Sequence, residues 1–184
     1  MNSISVRKLK REDLELVLQW RNEPAVRNNM YTNHVITIEE HSAWFEKCQT
    51  DESVVNLIFE RNMMPAGIIS FSKINCLQGT AEWAFYSGNT SIRGVGTLME
   101  LCALRYAFNK LSLRKLCCEV LSFNESVIKF HKKFGFQVEG IKKKHYLRDE
   151  QVFDIYQLAI FKDEWKAQIS ALEERYLSKL EVQI

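Results

Sequence analysis

Residues 82–97 of this chain read EWAFYSGNTSIRGVGT. The run from Glu82 to Tyr86 is rich in residues that favour a β-strand, and Gly94 and Gly96 then form a G-x-G loop. The apolar residues after the loop recur at helical spacing: Leu98, Leu101, Cys102, Leu104 and Phe108. A strand, a glycine loop and a long buried helix are therefore predicted in succession. In such a loop, backbone N–H groups and the positive helix end converge on an anion such as a pyrophosphate.

A glycine pair by itself has two interpretations. It forms a turn that needs positive φ, or it lets a phosphate approach the backbone closely. Two other phosphate motifs are excluded, because Met99 occupies the third glycine position of the dinucleotide fingerprint and the Walker lysine pattern is absent from the sequence. A phosphate loop of another family is the interpretation that remains.

Length, composition and charge limit the class of protein. A chain of 184 residues, 46% of them hydrophobic, is long enough to bury a continuous core, and we expect a single domain over residues 1–184. The formal charge of +2 is spread along the chain, so we expect no nucleic-acid partner and no membrane partner. Because no apolar run reaches the roughly 18 residues of a membrane helix, we expect a cytoplasmic protein. Five cysteines in no CxxC pattern favour reduced thiols.

Hydrophobic periodicity predicts the element order βααβββαβαββ, followed by a last helix from about residue 163. The predicted strands cover residues 4–9, 54–60, 65–74, 80–86, 115–121, 136–144 and 152–161. Pro24 is expected to end the first helix. Thr37 and Glu40 form a capping box for the second, and its polar start is expected to expose His41.

The last helix carries an apolar stripe that is longer than a compact core requires. Its residues are Trp165, Ile169, Leu172, Tyr176 and Leu180. We therefore expect this helix to offer a surface to a partner subunit, which makes a homodimer a possible assembly.

The order of strand, G-x-G loop, helix, strand and asparagine-capped helix resembles the acyl-CoA site of the GNAT acetyltransferases. The second half of the resemblance is the segment from Asn124 to Phe136, which ends in Phe134-Gly135-Phe136. The resemblance implies an α+β fold with a central mixed, mostly antiparallel sheet flanked by helices, and acetyl-CoA as cosubstrate. It also implies that Asn124 lies at the CoA arm. As cations, Lys132 and Lys133 are expected near the CoA 3'-phosphate.

The resemblance further assigns roles to the two ends of residues 82–97. The loop amides that would hold the CoA pyrophosphate belong to Arg93, Gly94, Val95, Gly96 and Thr97. The strand before the loop, including Phe85, would bond the pantetheine arm. This sequence departs from the family at Ser91, where a Gln or Arg is usual, and Arg93 is then a substitute phosphate contact.

Two residues are candidates for proton transfer. His131 aligns with the family tyrosine that protonates the departing CoA thiolate, and an imidazolium near pKa 6.5 is a stronger acid than a thiol near 8.5. The other interpretation of His131 is a surface histidine on an amphipathic helix. Glu82 lies where GNAT enzymes often place a carboxylate that deprotonates the attacking amine, directly or through water. Its other interpretation is a strand-edge glutamate in a salt bridge. His34 and His145 have no ligand spacing, so we expect no metal.

The N-terminal segment narrows the substrate. Trp20-Arg21-Asn22-Glu23-Pro24, Glu40-His41 and Trp44-Phe45 resemble the PseH family, which acetylates a UDP-linked amino-dideoxy sugar in pseudaminic acid biosynthesis. Ser72-Lys73-Ile74-Asn75 extends the likeness. The resemblance implies a sugar-nucleotide site made from Arg21, Met30, His41, Trp44, Lys73 and Tyr86. From composition alone, the two tryptophans would be core aromatics and Arg21 a cation at a helix end.

Two alternatives remain open. The first is another GNAT acceptor, either a protein N-terminus or a polyamine, and a polyamine site would need an acidic lining. The second is a non-catalytic acyl-CoA-binding or protein-interaction module, which is suggested by the missing tyrosine and by the long last helix.

Overall fold

The computed structural model describes residues 3–88 and 94–184. Its strands are β1 (Ser3–Lys8), β2 (Val55–Arg61), β3 (Met64–Asn75), β4 (Thr80–Ser87), β5 (Lys115–Leu121), β6 (Gln137–Arg148), β7 (Gln151–Phe161) and β8 (Glu181–Gln183). They form one sheet in the order β6-β7-β5-β4-β3-β2-β1-β8. The pairs β4–β5 and β1–β8 are parallel and the others antiparallel. The predicted α+β fold with a mixed, mostly antiparallel sheet is therefore confirmed.

The helices are α1 (Leu14–Asn22), α2 (Pro24–Arg27), α3 (Ile38–Thr50), α4 (Val95–Arg105), α5 (Glu125–Lys132) and α6 (Lys162–Leu177). A 3-10 turn, Arg11–Asp13, precedes α1, and a π-helical turn, Tyr106–Lys110, continues α4. The predicted capping box of α3 is present, since the Thr37 hydroxyl accepts from the Glu40 amide and the Glu40 carboxylate accepts from the Thr37 amide.

The two ends of the predicted helical pattern need correction. Pro24 was expected to end the first helix, but it is also the first residue of α2, where its fixed φ suits a first helical position. The last helix ends at Leu177, so Leu180 lies beyond it, and the chain then adds β8 alongside β1. The apolar pattern of residues 165–180 continued past the helix because the residues after it also contact the core.

Helices cover both faces of the sheet. Leu14, Val17 and Trp20 of α1 and Phe45 of α3 pack on one face against Ile58 and Ile68. On the other face, α4 is buried almost completely, and α5 and α6 flank it.

The apolar stripe of α6 faces this same core. Trp165 is 4% exposed, and its ring centroid lies 5.2 Å from that of Phe108, while Ile169, Leu172 and Tyr176 are partly buried against the same cluster. The stripe is thus used within the chain, and its length is no longer a reason to expect a partner subunit.

In residues 3–88 and 94–184, no helix combines the length and apolarity needed to cross a bilayer. The same ranges contain no group of three or more His, Cys, Asp or Glu side chains arranged to hold a metal ion. The five cysteines are free thiols.

Candidate active site

The sheet opens between β5 and β4, the third and fourth strands in its order. β4 and β5 pair in parallel through Thr80, Ala81 and Glu82 only, although β4 stays paired with β3 as far as Ser87. From Trp83 onward, the edge of β4 opposite β3 therefore has no paired strand in the described chain. An extended ligand with amide groups fits such an edge, because it can replace the missing strand. This is the position that the sequence assigned to the pantetheine arm.

The glycine loop leads from this opening into α4. Gly94 is the residue before the helix and has φ +81° and ψ 0°, a left-handed conformation that a glycine adopts without strain. A Cβ built at Gly94 would meet no atom of the described residues within 4 Å, which leaves room for a ligand at this helix end. Val95, Gly96 and Thr97 form the first turn, whose amide groups lack partners within the helix itself. Ser91 and Arg93 lie outside the described residues.

An aromatic layer lies directly beneath Gly96. A Cβ on Gly96 would be 3.8 Å from Phe130 Cζ and 3.9 Å from Phe85 Cε2. The Phe85 ring stacks on Trp83 with centroids 5.2 Å apart. The loop, β4 and α5 thus meet at one point, and the predicted cofactor residues Gly96 and Phe85 lie together.

Asn124 and the predicted phosphate lysines lie at the two ends of α5, with Lys132 as its last residue and Lys133 directly after it. Asn124 precedes α5, where its carbonyl accepts from the amides of Val127 and Ile128 and its side chain accepts from the Ser126 hydroxyl. Its side chain therefore does not cap the helix, contrary to the prediction. Lys132 and Lys133 are exposed.

His131 is not a surface histidine. His131 is 4% exposed, and its ring contacts Trp83, Phe85 and Phe136 at centroid distances of 5.2–6.1 Å. Its Nδ1 lies 3.0 Å from Oε1 of Glu100, a fully buried residue of α4. No sequence motif indicated Glu100 as a site residue. The surface interpretation of His131 is therefore wrong, and its proposed proton transfer stays a prediction.

Glu82 points to the opposite face of the sheet from Trp83 and His131. Its Oε1 accepts from Lys73 Nζ at 2.8 Å, so the salt-bridge interpretation describes its present contact. This contact raises the pKa of Lys73, since the carboxylate stabilises the ammonium. Both residues line a cleft of about 370 Å³ together with Cys117, Glu119 and Glu139. The cleft opens where β4 and β5 separate.

A second cavity of about 340 Å³ lies on the same face of the sheet, under α1 and α3. Four of the six predicted sugar-nucleotide residues line it: Arg21, His41, Trp44 and Tyr86. Ser70 and Ile68 of β3 form part of its floor. Lys73 lies instead in the cleft with Glu82, so five of the six predicted substrate residues are divided between these two spaces.

Two side chains of this second cavity have buried atoms with no hydrogen-bond partner in the described chain. Arg21 donates from Nη2 to the Thr32 carbonyl at 2.8 Å, but its buried Nη1 has none, and neither has the buried Nε2 of His41. Burial lowers the pKa of both residues, and the Arg21 charge lowers that of His41 further. His41 is only 4% exposed, so the prediction that it lies exposed is wrong: its ring stacks on Trp44 with centroids 5.0 Å apart.

The segment between α2 and α3 closes one side of these spaces. Arg148 of β6 donates to the carbonyls of Asn28 and Met30, which fixes Met30 by its backbone. Tyr146 donates to the Tyr31 carbonyl, and the Tyr31 hydroxyl donates to Glu119 at 2.8 Å. Local sequence patterns did not indicate these residues, because the partners are 88 to 120 positions apart.

Known proteins resemble this chain in sequence and in fold. The family model for the acetyltransferase (GNAT) domain matches residues 4–137. Spermidine N(1)-acetyltransferase of Escherichia coli is 28% identical over 168 residues, which are 91% of this chain and 90% of that protein. Acetyltransferase PseH of Campylobacter jejuni is 26% identical over 138 residues, 75% of this chain and 85% of that protein. A crystal structure of spermidine N-acetyltransferase from Vibrio cholerae, in complex with CoA and spermine, superposes with a TM-score of 0.81 at 19% identity, covering 89% of this chain and 98% of that one.

This chain belongs to the GNAT acetyltransferase family, since the family model matches residues 4–137. The fold agrees, because the mixed sheet opens between the parallel strands β4 and β5 and a helix that begins after Gly94 lies beside the opening. It is an acetyl-CoA-dependent N-acetyltransferase. The open amides after Gly94 and the free edge of β4 suit its cosubstrate, acetyl-CoA.

Proposed function

We propose that this enzyme transfers the acetyl group of acetyl-CoA to the amine of a UDP-linked amino-dideoxy sugar, as in pseudaminic acid biosynthesis. The observation that carries the proposal is the cavity lined by Arg21, His41, Trp44 and Tyr86, which lies on the same face of the sheet as Glu82. The resemblance to PseH supports the same acceptor.

Arg21 supplies the group that a diphosphate needs. Its Nη1 is buried with no hydrogen-bond partner in the described chain, so an incoming oxyanion would satisfy both the donor and the desolvated charge. Because burial lowers the pKa of His41, its ring is neutral near pH 7 and acts as a hydrogen-bonding group. The His41–Trp44 stack is a flat aromatic surface of the kind on which a nucleobase packs.

The strand register connects this cavity to the reacting centre. One face of β4 carries every second residue, namely Tyr86, Ala84 and Glu82. These residues pair with Ile68, Ser70 and Ser72 of β3. At about 3.3 Å per residue, Tyr86 and Glu82 are separated by about 13 Å along the strand. A ligand that begins at Arg21 and Tyr86 and extends along β4 therefore brings its far end to Glu82. We place the nucleotide at the first position and the sugar amine at the second.

The proposed reaction is a direct transfer in a ternary complex. The amine attacks the thioester carbon, its proton passes to Glu82 directly or through water, and the thiolate leaves with the bonding pair and takes a proton from His131. Holding the two substrates from opposite faces of the β4–β5 opening supplies most of the rate acceleration.

Polyamine acetylation is the second candidate, and the cleft with Glu82, Glu119 and Glu139 favours it, as do the spermidine acetyltransferase relatives. Each of these carboxylates, however, already has a lysine: Lys73 with Glu82, Lys142 with Glu119 and Lys115 with Glu139. Residues 24–37 also contain no Asp or Glu. The charge available for a polycation is therefore small, which is why we place the sugar nucleotide first.

A thiol-release assay across UDP-amino sugars, polyamines and peptides tests the acceptor. We expect kcat/KM to be highest for a UDP-amino-dideoxy sugar, and Arg21→Ala to raise the KM of that acceptor at least ten-fold while leaving the KM of acetyl-CoA unchanged. Arg11→Ala is the matched control, since the exposed Arg11 pairs with Glu46 outside both cavities. Preferential turnover of spermidine that Arg21→Ala does not weaken would establish the second candidate instead.

A further inference from the structure

Glu100 and His131 form a buried pair at the back of the acetyl-CoA opening. Glu100 is one helical turn after Gly96, so both face α5 and β4 from α4. Its Oε1 is 3.0 Å from His131 Nδ1, and the two residues are 0% and 4% exposed. Since Nδ1 is directed at Glu100, the other ring nitrogen, Nε2, is on the opposite edge of the imidazole.

Burying this pair costs folding free energy. Oε2 of Glu100 has no hydrogen-bond partner in the described chain, and the nearby Trp83 Nε1 has none either. A buried carboxylate with a single hydrogen bond destabilises a fold relative to an apolar side chain of similar size. Burial raises the pKa of Glu100, and the adjacent imidazole opposes that rise. Such an environment is typical of a functional site.

We propose that Glu100 is a positioning residue for His131: it accepts a hydrogen bond from Nδ1–H, fixes the ring tautomer, and stabilises the imidazolium whose Nε2–H protonates the departing CoA thiolate. This inference rests on the proposed role of His131. In the transfer step the carbon–sulfur bond breaks, sulfur keeps the bonding pair, and the Nε2 proton forms the thiol. His131 then takes a proton from solvent, and Glu100 transfers none.

The surroundings contain few other charges that compete with the pair. β4 contributes Trp83 and Phe85, which do not titrate near neutral pH. β5 contributes Cys118, whose thiol stays neutral because burial raises its pKa. On α5 itself, Lys129 is exposed and paired with Glu125, and Lys132 is exposed. Glu100 is thus the carboxylate in direct contact with His131 within the described residues.

Two substitutions separate the charge of Glu100 from its volume. Glu100→Gln keeps an oxygen that can accept from Nδ1–H but removes the charge, and Glu100→Leu removes both. We expect Glu100→Gln to lower kcat about ten-fold or more with acetyl-CoA affinity retained, and Glu100→Leu to lower it further.

The substitution His131→Tyr provides the matched background, since a phenol needs no carboxylate to hold a tautomer. Glu100→Gln should have little further effect on kcat in His131→Tyr, whereas a purely structural Glu100 would reduce turnover equally in both backgrounds and overturn the inference. Nitrogen NMR of the imidazole, without substrates, should show Nδ1–H in the wild type. A wild-type ring protonated only on Nε2 would also overturn it.

The same set of variants distinguishes this inference from the proposed function. If the best acceptor is a polyamine, kcat can be measured with that amine and the Glu100 comparison stands unchanged. If His131→Phe retains wild-type turnover, His131 is not the acid and the Glu100 inference is overturned with it. If His131→Phe loses turnover while Glu100→Gln and Glu100→Leu do not, only the Glu100 inference is overturned.

Discussion

Lys73 Nζ lies 2.8 Å from Oε1 of Glu82, so a residue that the sequence assigned to substrate binding neutralises the candidate catalytic base. Both side chains are largely accessible, at 73% and 39%. The pair lies on the face of the sheet opposite Trp83 and His131, so the candidate base and the candidate acid approach the opening from different sides. An acceptor amine that reaches Glu82 therefore enters beside a lysine that can also contact an anionic group of the acceptor.

We expect Glu82→Gln to lower kcat about 10²- to 10⁴-fold, because the amine would lose its proton acceptor. Acetyl-CoA affinity should stay at the wild-type level, since Glu82 points to the acceptor face. Steady-state kinetics and a calorimetric titration measure the two quantities.

The control for this prediction is Lys73→Met, which keeps the carboxylate and removes its partner. Because exposed ion pairs contribute only about 0–1 kcal/mol, stability should change little. Turnover at saturating acceptor should stay within about ten-fold of the wild type. Equal losses in Glu82→Gln and Lys73→Met would show that the ion pair is needed and would contradict a role for Glu82 as base.

Gly96→Glu should abolish acetyl-CoA binding. The new side chain would begin 3.8 Å from Phe130 and 3.9 Å from Phe85, and it would place a negative charge at the amides that suit a pyrophosphate. Gly96→Ala is the matched control, since a methyl group at these distances makes ordinary contacts and should preserve the fold. Calorimetry that finds wild-type affinity in Gly96→Glu would remove the loop from the cosubstrate site.

Gly88→Ala should destabilise the protein by about 1–3 kcal/mol through overpacking. A Cβ at Gly88 would lie 2.0 Å from Cδ2 and Cε2 of Trp20, a buried residue of α1. Because Trp20 immediately precedes Arg21, we also expect a raised KM for the acceptor. Gly140→Ala is the control, since its Cβ would meet only the flexible end of Gln157 at 3.3 Å. Equal thermal midpoints for the two variants would contradict the close packing of Trp20 on Gly88.

The sequence predicted those parts of the molecule that depend on local patterns. Alternating and helical periodicity located β1 to β7 and the helices α1 and α3 to α6, and the G-x-G motif located the start of α4, whereas α2 was not predicted. Resemblance grouped Arg21, Trp44 and Tyr86, which line the second cavity, and their binding of a sugar nucleotide stays a prediction. In contrast, β8 is three residues long and forms only because β1 offers a free edge, so no local pattern indicates it.

The remaining features of the site depend on contacts between distant positions. Glu100 and His131 are 31 positions apart. The helical pattern of α4 does not indicate that Glu100 is buried or that it contacts His131. The capping box predicted where α3 begins but not which of its sides faces α1, and His41 was therefore expected on the wrong side. Tertiary packing decided both cases.

The attachment of α1 to the sheet should make stability depend on pH at the acid end. Asp13 is 5% exposed and accepts two bonds from Arg7, at 2.7 and 2.8 Å, and one from the Lys10 amide at 2.9 Å. Burial alone would raise the pKa of Asp13, but the bonds from Arg7 and Lys10 outweigh it and hold that pKa below its usual value. A carboxyl whose pKa is lowered by folding stabilises the native state above its unfolded pKa, and this contribution is lost as the pH falls through the folded value.

We therefore expect Asp13→Asn to reduce the free energy of unfolding by about 1.5–3 kcal/mol at pH 7, because the amide cannot replace the charged carboxylate that accepts from Arg7, although Arg7 keeps its pair with Glu60. The difference from the wild type should shrink as the pH falls below about 4, because the Asp13 carboxyl is protonated first in the unfolded chain and then, at its lower folded pKa, in the native state. Urea unfolding at several pH values measures it. Asp163→Asn is the matched control, as its side chain is 96% exposed and should change stability by less than about 0.5 kcal/mol. A difference between Asp13→Asn and wild type that stays constant from pH 7 to acid would show that packing, rather than the charge on Asp13, attaches α1 and with it Arg21.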